Sequence, residues 1–227
     1  MSDTIDLIKE KLNELRGIDS GFEIFGSSSH EYQFNQVISE KDLIEFEQNN
    51  NCILPGEYKE FLLEIGNGGA GPSYGLFPFG YMDDGYELSK WSNDFVAPEK
   101  PFKFHDAFND TSMFLIGAPI ESDFNNSNEF EAAYDEWADN NYERLQIEYW
   151  DLHALDGAIP ICHHGCAYRS WLVVAAGKEY GYVWNDDTPS QAGVFPAQTE
   201  SKNRCTFAEW YLDWLVKSIN EMRAKYA

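Results

Sequence analysis

Positive charge is scarce in this chain. Sixteen Lys and Arg stand against thirty-nine Asp and Glu, a net charge of −23 over 227 residues. Such a surface repels phosphate backbones and anionic lipid, and it draws in cationic partners over about 8 Å at physiological salt. Nucleic acid and membrane surfaces are therefore poor candidate partners. A halophilic surface would be acidic too, but the lysine content argues against it. Long apolar runs are missing: no stretch approaches the ~18 residues that span a bilayer. The amino terminus, MSDTIDLIKEKL, has no basic region followed by an apolar core and a small-residue cleavage site. Cysteine is sparse, and Cys52, Cys162, Cys166 and Cys205 read as thiols rather than a disulfide framework. The expectation is a cytoplasmic protein. Internal repeats and low-complexity linkers are also missing, which favours one domain.

Aromatic side chains, in contrast, make up 16% of the residues, so the chain is globular and not a disordered acidic tail. Ile5, Ile8, Leu12 and Leu15 form one stripe of an amphipathic helix over 3–16, with Gly17 as its stop. Segment 18–38 alternates weakly (Phe22, Ile24) around the loop signal GSSSH. Ser39 and Asp42 give a capping-box pattern ahead of a short helix carrying Leu43 and Phe46, which ends at QNNN. Pro55, at the start of the next helix (55–65), is followed by Tyr58, Phe61, Leu62 and Ile65 on one face. From 74 to 120 the pattern is short and turn-rich, and it reads as strands and loops, including the apolar run MFLIGAP. AIPIC, SWLVVAA and GYVW, within 158–185, read as consecutive antiparallel strands. A second capping box, Thr206 to Glu209, opens a closing helix with Trp210 and Trp214 on its aromatic face.

The run LPGEYKEFLLEIGNGGAGPSYGLF (54–77) raises the question of a nucleotide loop. A phosphate loop precedes a helix, so that helix N–H groups and the positive dipole end meet the anion. Here the helix comes first and the glycines follow, with no G-K-[ST]. The glycines are expected to stop the helix, with Gly66 or Asn67 left-handed, and to feed a wide loop. In ICHHGCAY (161–168), two Cys and two His lie close together. Zinc needs four converging ligands, usually from two clips; adjacent His163 and His164 would point to opposite sides of a strand, and a second clip is missing. A turn between two core strands is the preferred reading over metal, over a Cys162–Cys166 disulfide, and over a Cys166 nucleophile based on His163 or His164. The pairs Asp83-Asp84 and Asp186-Asp187 do not fit a calcium loop; Asp84-Gly85 reads as a turn.

Residues 121–151 hold ten acidic residues and one basic residue, Arg144, with Phe130, Tyr134 and Trp137 at helical spacing. This stretch is either a solvated helix face or an anionic docking surface with aromatic anchors.

Two blocks together resemble the SUKH superfamily, the domain related to fungal cell-wall-assembly regulators. The first consists of Leu54, Pro55, Tyr58, Phe61, Leu62, Asn67, Gly68 and Gly69. The second is similar to a bacterial branch and comprises Ile161-Cys162, His164-Gly165-Cys166, Leu172-Val173-Val174, Gly177, Gly181, Trp184 and Asp186-Asp187, followed by GVFP. EKPFKFHDAFN (99–109) matches that branch as well, whereas Thr188 stands where it often has a basic residue. The resemblance implies an α+β fold, a mostly antiparallel sheet flanked by helices, and a non-enzymatic role as an immunity protein that neutralises a polymorphic toxin, often a nuclease. It also recasts the Cys-His block as structural framework. Residues 1–36 are expected to form a helix and loop packed on a domain of 37–227 that carries the acidic insertion. The partner expected is a basic cognate toxin domain, with no cofactor, no metal and no particular oligomeric state implied. Glu129, Glu131, Asp135, Glu136 and Asp139 are the candidate steering residues, with Trp137 as anchor. The alternatives are a regulatory scaffold for a cellular partner, and a metal- or thiol-dependent hydrolase at His163, His164 and Cys166.

Overall fold

The computed structural model describes residues 3–83, 87–92 and 95–226; the turn expected at Asp84-Gly85 lies outside them. Helix α1 (Asp3–Ile18) is followed by α2 (Glu40–Asn49) and α3 (Gly56–Glu64). The short strands β1 (Tyr81–Asp83) and β2 (Leu88–Lys90) pair antiparallel. A long helix, α4 (Ser127–His153), leads to β3 (Ala158–Gly165), β4 (Tyr168–Val173), β5 (Val183–Asp186) and β6 (Val194–Pro196), and α5 (Phe207–Lys225) follows. Strands β3 to β6 form an antiparallel sheet in sequence order. The fold is α+β with a closing carboxy-terminal helix, as expected.

Each face of the sheet has its own cover. Trp171 pairs with Trp184 on one face, and Phe95, Phe102 and Phe104 lie against these rings. Leu172 and Val183 pair on the opposite face, the side on which α5 lies. There Phe61, Phe207 and Tyr211 are fully buried, with ring centroids 5.0–5.9 Å apart. Burying each of these rings stabilises the fold by roughly 1.5–3 kcal/mol. The stripe Ile5, Ile8, Leu12, Leu15 is buried as its spacing predicts, and α1 packs on α5. Helix α1 runs past Gly17 because the Asp19 amide still reaches the Leu15 carbonyl at 2.9 Å. The Ser39 cap forms, accepting from Asp42 N at 3.2 Å, and its hydroxyl donates to the Asp42 carboxylate. At Thr206 the return half of the box forms, Glu209 Oε2 taking the Thr206 amide at 3.0 Å, and Glu57 adds a second acceptor at the α5 start, taking Ala208 N at 3.1 Å.

The segment after α1, weakly patterned in sequence, is organised by one buried carboxylate. Asp19 accepts from Glu23 N at 2.7 Å, Ile24 N at 3.2 Å and the Tyr32 hydroxyl. Burial opposes ionisation of Asp19, but these donors outweigh it and hold the carboxyl below its ordinary range.

The glycine run does not form a wide loop. Its left-handed backbone begins at Gly68 (φ 77°) and Gly69 (φ 112°), not at Gly66 or Asn67. The chain doubles back so that Gly69 pairs with both Phe34 and Leu76, and Leu76 pairs with Cys162. These bridges extend the sheet beyond β3, and Phe108 covers the β6 edge in the same way, so both edges are blunted against pairing with another chain. Asn67 secures the fold-back by accepting from Phe79 N at 2.7 Å. The apolar run Met113–Pro119, within the stretch read as strands and loops, takes the loop form. It opens with a 3-10 turn, Ser112–Leu115, that buries Met113 and leaves Leu115 and Ile116 exposed.

A Cβ at Gly69 would lie 2.3 Å from the Gln33 carbonyl oxygen, whereas one at Gly80 (φ 86°) meets nothing within 4 Å. Gly69→Ala should therefore cost more than about 2 kcal/mol and Gly80→Ala about 1 kcal/mol. Urea denaturation of the two variants measures the difference directly.

Candidate functional site

The acidic stretch forms most of α4, a 27-residue helix whose N-cap, Asn126, accepts from Glu129 N at 3.1 Å. At the other end Lys103 Nζ donates to the Leu152 carbonyl at 2.8 Å, a cation placed at the negative end of the helix dipole. The last third of α4 is its buried part. Leu145, Tyr149 and His153 are buried there, and Leu145 and Tyr149 form with Met113 a small core separate from the main one. Tyr149 donates to Asn109 Oδ1 at 2.7 Å. His153 takes the Asp110 amide on Nε2 at 3.1 Å, which leaves Nδ1–H for the Tyr149 carbonyl at 2.7 Å.

From Ser127 to Arg144, by contrast, no side chain of α4 is buried. Glu129, Glu131, Asp135, Glu136 and Asp139 are all exposed there, and so are Glu143, Glu148 and Asp151 further along. The one base, Arg144, is taken up by Glu148 at 2.7 Å. Phe124, Phe130, Tyr134 and Trp137 run along the helix with successive ring centroids 5.6–5.9 Å apart. Trp137 also packs against the Met113 core, so part of its ring is structural. Sequence reasoning missed Leu115, Ile116 and Ile120, which are 63–73% exposed on the turns beneath α4. An apolar run reads as buried strand unless its turn geometry is known.

The Cys-His block is pulled apart by the fold. The β3–β4 hairpin turns through Cys166 and Ala167, both left-handed (φ 50° and 65°), in a two-residue loop closed by Gly165 and Tyr168. Cys166 is exposed at its tip, whereas Cys162 is fully buried with its thiol on the Pro72 carbonyl. His163 donates from Nε2 to Asp83 Oδ2 at 2.9 Å, and Arg169 Nε donates to Asp83 Oδ1 at 2.9 Å. His164 points to the other side, as the strand alternation predicts. It lies between Ser73 Oγ (2.9 Å from Nδ1) and Ser170 Oγ (2.8 Å from Nε2). Asp186 accepts from Thr188 N and Oγ1 at 3.1 and 2.6 Å, which caps the turn after β5. Among the described residues no group of three or more His, Cys, Asp or Glu is placed to hold a metal ion. The one imidazole that meets a serine is a poor general base, because burial pushes His164 down to about 4.

Residues 37–196 match the SMI1/KNR4 family (SUKH-1). The chain belongs to that family. The match contains both motif blocks and α4, and leaves α1 and α5, which pack on each other, outside it. No curated protein and no solved structure matches the chain. SMI1/KNR4 membership is consistent with a protein-binding, immunity-type role. Within the SMI1/KNR4 domain the motif residues are framework: Leu54 and Trp184 are core, Asn67 to Gly69 fold the glycine run back, and Asp186 caps a turn. Among the described residues no helix is long and apolar enough to cross a membrane.

Two outcomes follow from this geometry. The imidazoles of His30 and His153 are lowered by burial as His164 is. The unfolded chain takes up these protons below 6.5 while the folded chain resists, so stability present at neutral pH is lost as pH falls from 6.5 towards 4. His164 alone accounts for about 2 kcal/mol of loss by pH 5. Urea midpoints at pH 7 and pH 5 should diverge less in His164→Gln than in the parent chain. Ala167→Gly removes a left-handed alanine from the hairpin and should stabilise by about 0.5–1 kcal/mol.

Proposed function

We propose that this SMI1/KNR4-family chain is an immunity protein that binds a cognate toxin and masks its active site. The observation that carries the reading is the free half of α4, a helix with its carboxylates in water and a row of aromatic rings beside them. A helix that buries side chains only in its carboxy-terminal third, with Trp137 half-covered ahead of it, buries too little of itself to be explained as core. Exposed like charges along one helix repel one another, and a cationic partner relieves that repulsion. A nuclease cleft must be cationic to hold a phosphodiester, so it is the toxin class that fits. In this scheme Glu129, Glu131, Asp135, Glu136 and Asp139 steer the encounter. Tyr134, the exposed part of Trp137, and Leu115, Ile116 and Ile120 supply the apolar contact that slows dissociation. Inhibition is stoichiometric and involves no catalytic step.

A toxin domain encoded beside this gene, expressed in a susceptible host with and without this chain, tests the reading. Rescue of growth, with a complex whose association rate falls as salt rises, supports it. Loss of rescue despite good expression moves the reading to a non-catalytic scaffold for a cellular partner. Reversal of Asp135, Glu136 and Asp139 to Lys should slow association by roughly tenfold or more and flatten its salt dependence. Because all three are exposed, folding stability should shift by less than about 0.5 kcal/mol. Unchanged association would place the interface elsewhere.

A further inference from the structure

Away from α4, a pocket of about 330 Å³ lies between α5 and the helix-side face of the sheet. Its walls are aromatic: Phe25, Trp210 and Trp214. Phe25 is 67% exposed, an unusual position for a phenyl ring, yet it follows the turn that Asp19 fixes and meets Tyr74 edge-on at 5.5 Å. Trp214 is held between Tyr211 (5.1 Å) and His30 (6.2 Å). Asp213 and Glu221 supply carboxylates to the lining against one base, Lys217, which lies 2.8 Å from Asp213 Oδ2.

The floor, Ser73 and Asn185, has its polarity set from behind. Ser170 gives its hydroxyl hydrogen to Asn185 Oδ1 at 2.9 Å. Ser170 Oγ must then accept from His164 Nε2–H, which leaves a lone pair on His164 Nδ1 for the Ser73 hydroxyl hydrogen. Ser73 Oγ is thereby left as an acceptor. Asn185, its Oδ1 engaged by Ser170, keeps only its Nδ2–H donors, so the acceptors of the pocket are the Ser73 oxygen and the Asp213 and Glu221 carboxylates, set beside aromatic faces in a lining that is net negative.

We infer that this pocket binds a guanidinium group. A guanidinium has five donors and no acceptor, is always charged, and is planar, so it can stack on an indole while its edge meets carboxylates. An ammonium lacks the plane, and a urea carbonyl would face acceptor against acceptor. The inference is independent of the role proposed for α4, with which the pocket shares no residue.

The test is an NMR titration of the ¹⁵N-labelled full chain with N-acetyl-L-arginine amide, following the indole Nε1–H resonances of Trp210 and Trp214. Saturable shifts are expected, with the lysine and citrulline amides binding at least roughly fivefold more weakly. Phe25→Ala and Glu221→Gln, both at exposed positions, should each weaken the arginine derivative. Lys217→Ala should strengthen it by freeing Asp213. Free L-arginine, run in parallel, separates the two sources of the group: tighter binding of the blocked amide assigns the pocket to an arginine of a protein partner, and tighter binding of the free amino acid assigns it to a metabolite. Equal binding of the arginine and citrulline amides, shifts that do not saturate, or indifference to Phe25 and Glu221 would overturn the inference. The charge reversals on α4 should leave all these titrations unchanged.

Discussion

The close passage of backbone against backbone at Gly68, Gly69 and Gly75 is the constraint on which the rest depends. A Cβ at any of these positions would fall 2.3–2.6 Å from a main-chain atom of another segment. Because no Cβ is there, the chain can leave α3, double back and join the sheet through Leu76. That path places Ser73 over His164 and Tyr74 over His163. It also presents the Ala70 carbonyl to the Tyr211 hydroxyl at 2.8 Å, which ties α5 to the same turn. The glycines that look in sequence like a phosphate cradle are occupied by the protein's own backbone.

Charge is partitioned by the fold. The carboxylates taken inside meet donors: Asp19 is held by amides and a tyrosine and Asp83 by Arg169 and His163, while Glu179 meets Arg204 through Oε1 and keeps Oε2 buried without a partner. An isolated buried carboxylate would cost several kcal/mol, so these pairings are a condition of folding rather than a surplus of stability. The acids of α4 remain in water, on a helix with its own small core around Met113 and Tyr149. Substitutions on the free half of α4 are thereby uncoupled from the main core. Such a surface can change sequence without loss of the SMI1/KNR4 domain.

The helices were legible because their information is local. The spacing of Ile5, Ile8, Leu12 and Leu15 names a buried face, and Ser39, Thr206 and Glu209 mark helix starts through contacts three residues long. The strands of the main sheet were legible from β-rich runs broken by turns. The motif residues Leu54, Asn67, Gly68, Gly69 and Trp184 pointed to the right family without disclosing what each does. The stop at Gly17 and the left-handed position at Gly66 or Asn67 were misread: a glycine does not end a helix whose next amides still reach their carbonyls, and where the chain turns left-handed depends on the distant segment it doubles back onto.

What the sequence determined by itself was the fold class, the order of the main elements and the acidic surface, carried by composition or by neighbours within a turn or two, and the family, carried by the resemblance of two separate motif blocks. Only the tertiary structure decided that His163 and His164 part company, one to Asp83 and one to Ser73, 91 positions away. It alone left the carboxylates of the first two-thirds of α4 in water, and it alone set the hydrogen-bond direction that makes Ser73 an acceptor at the pocket floor. These are matters of which groups meet across long loops. Hydrophobic periodicity does not encode them, because it reports which face of an element is buried and not what it is buried against.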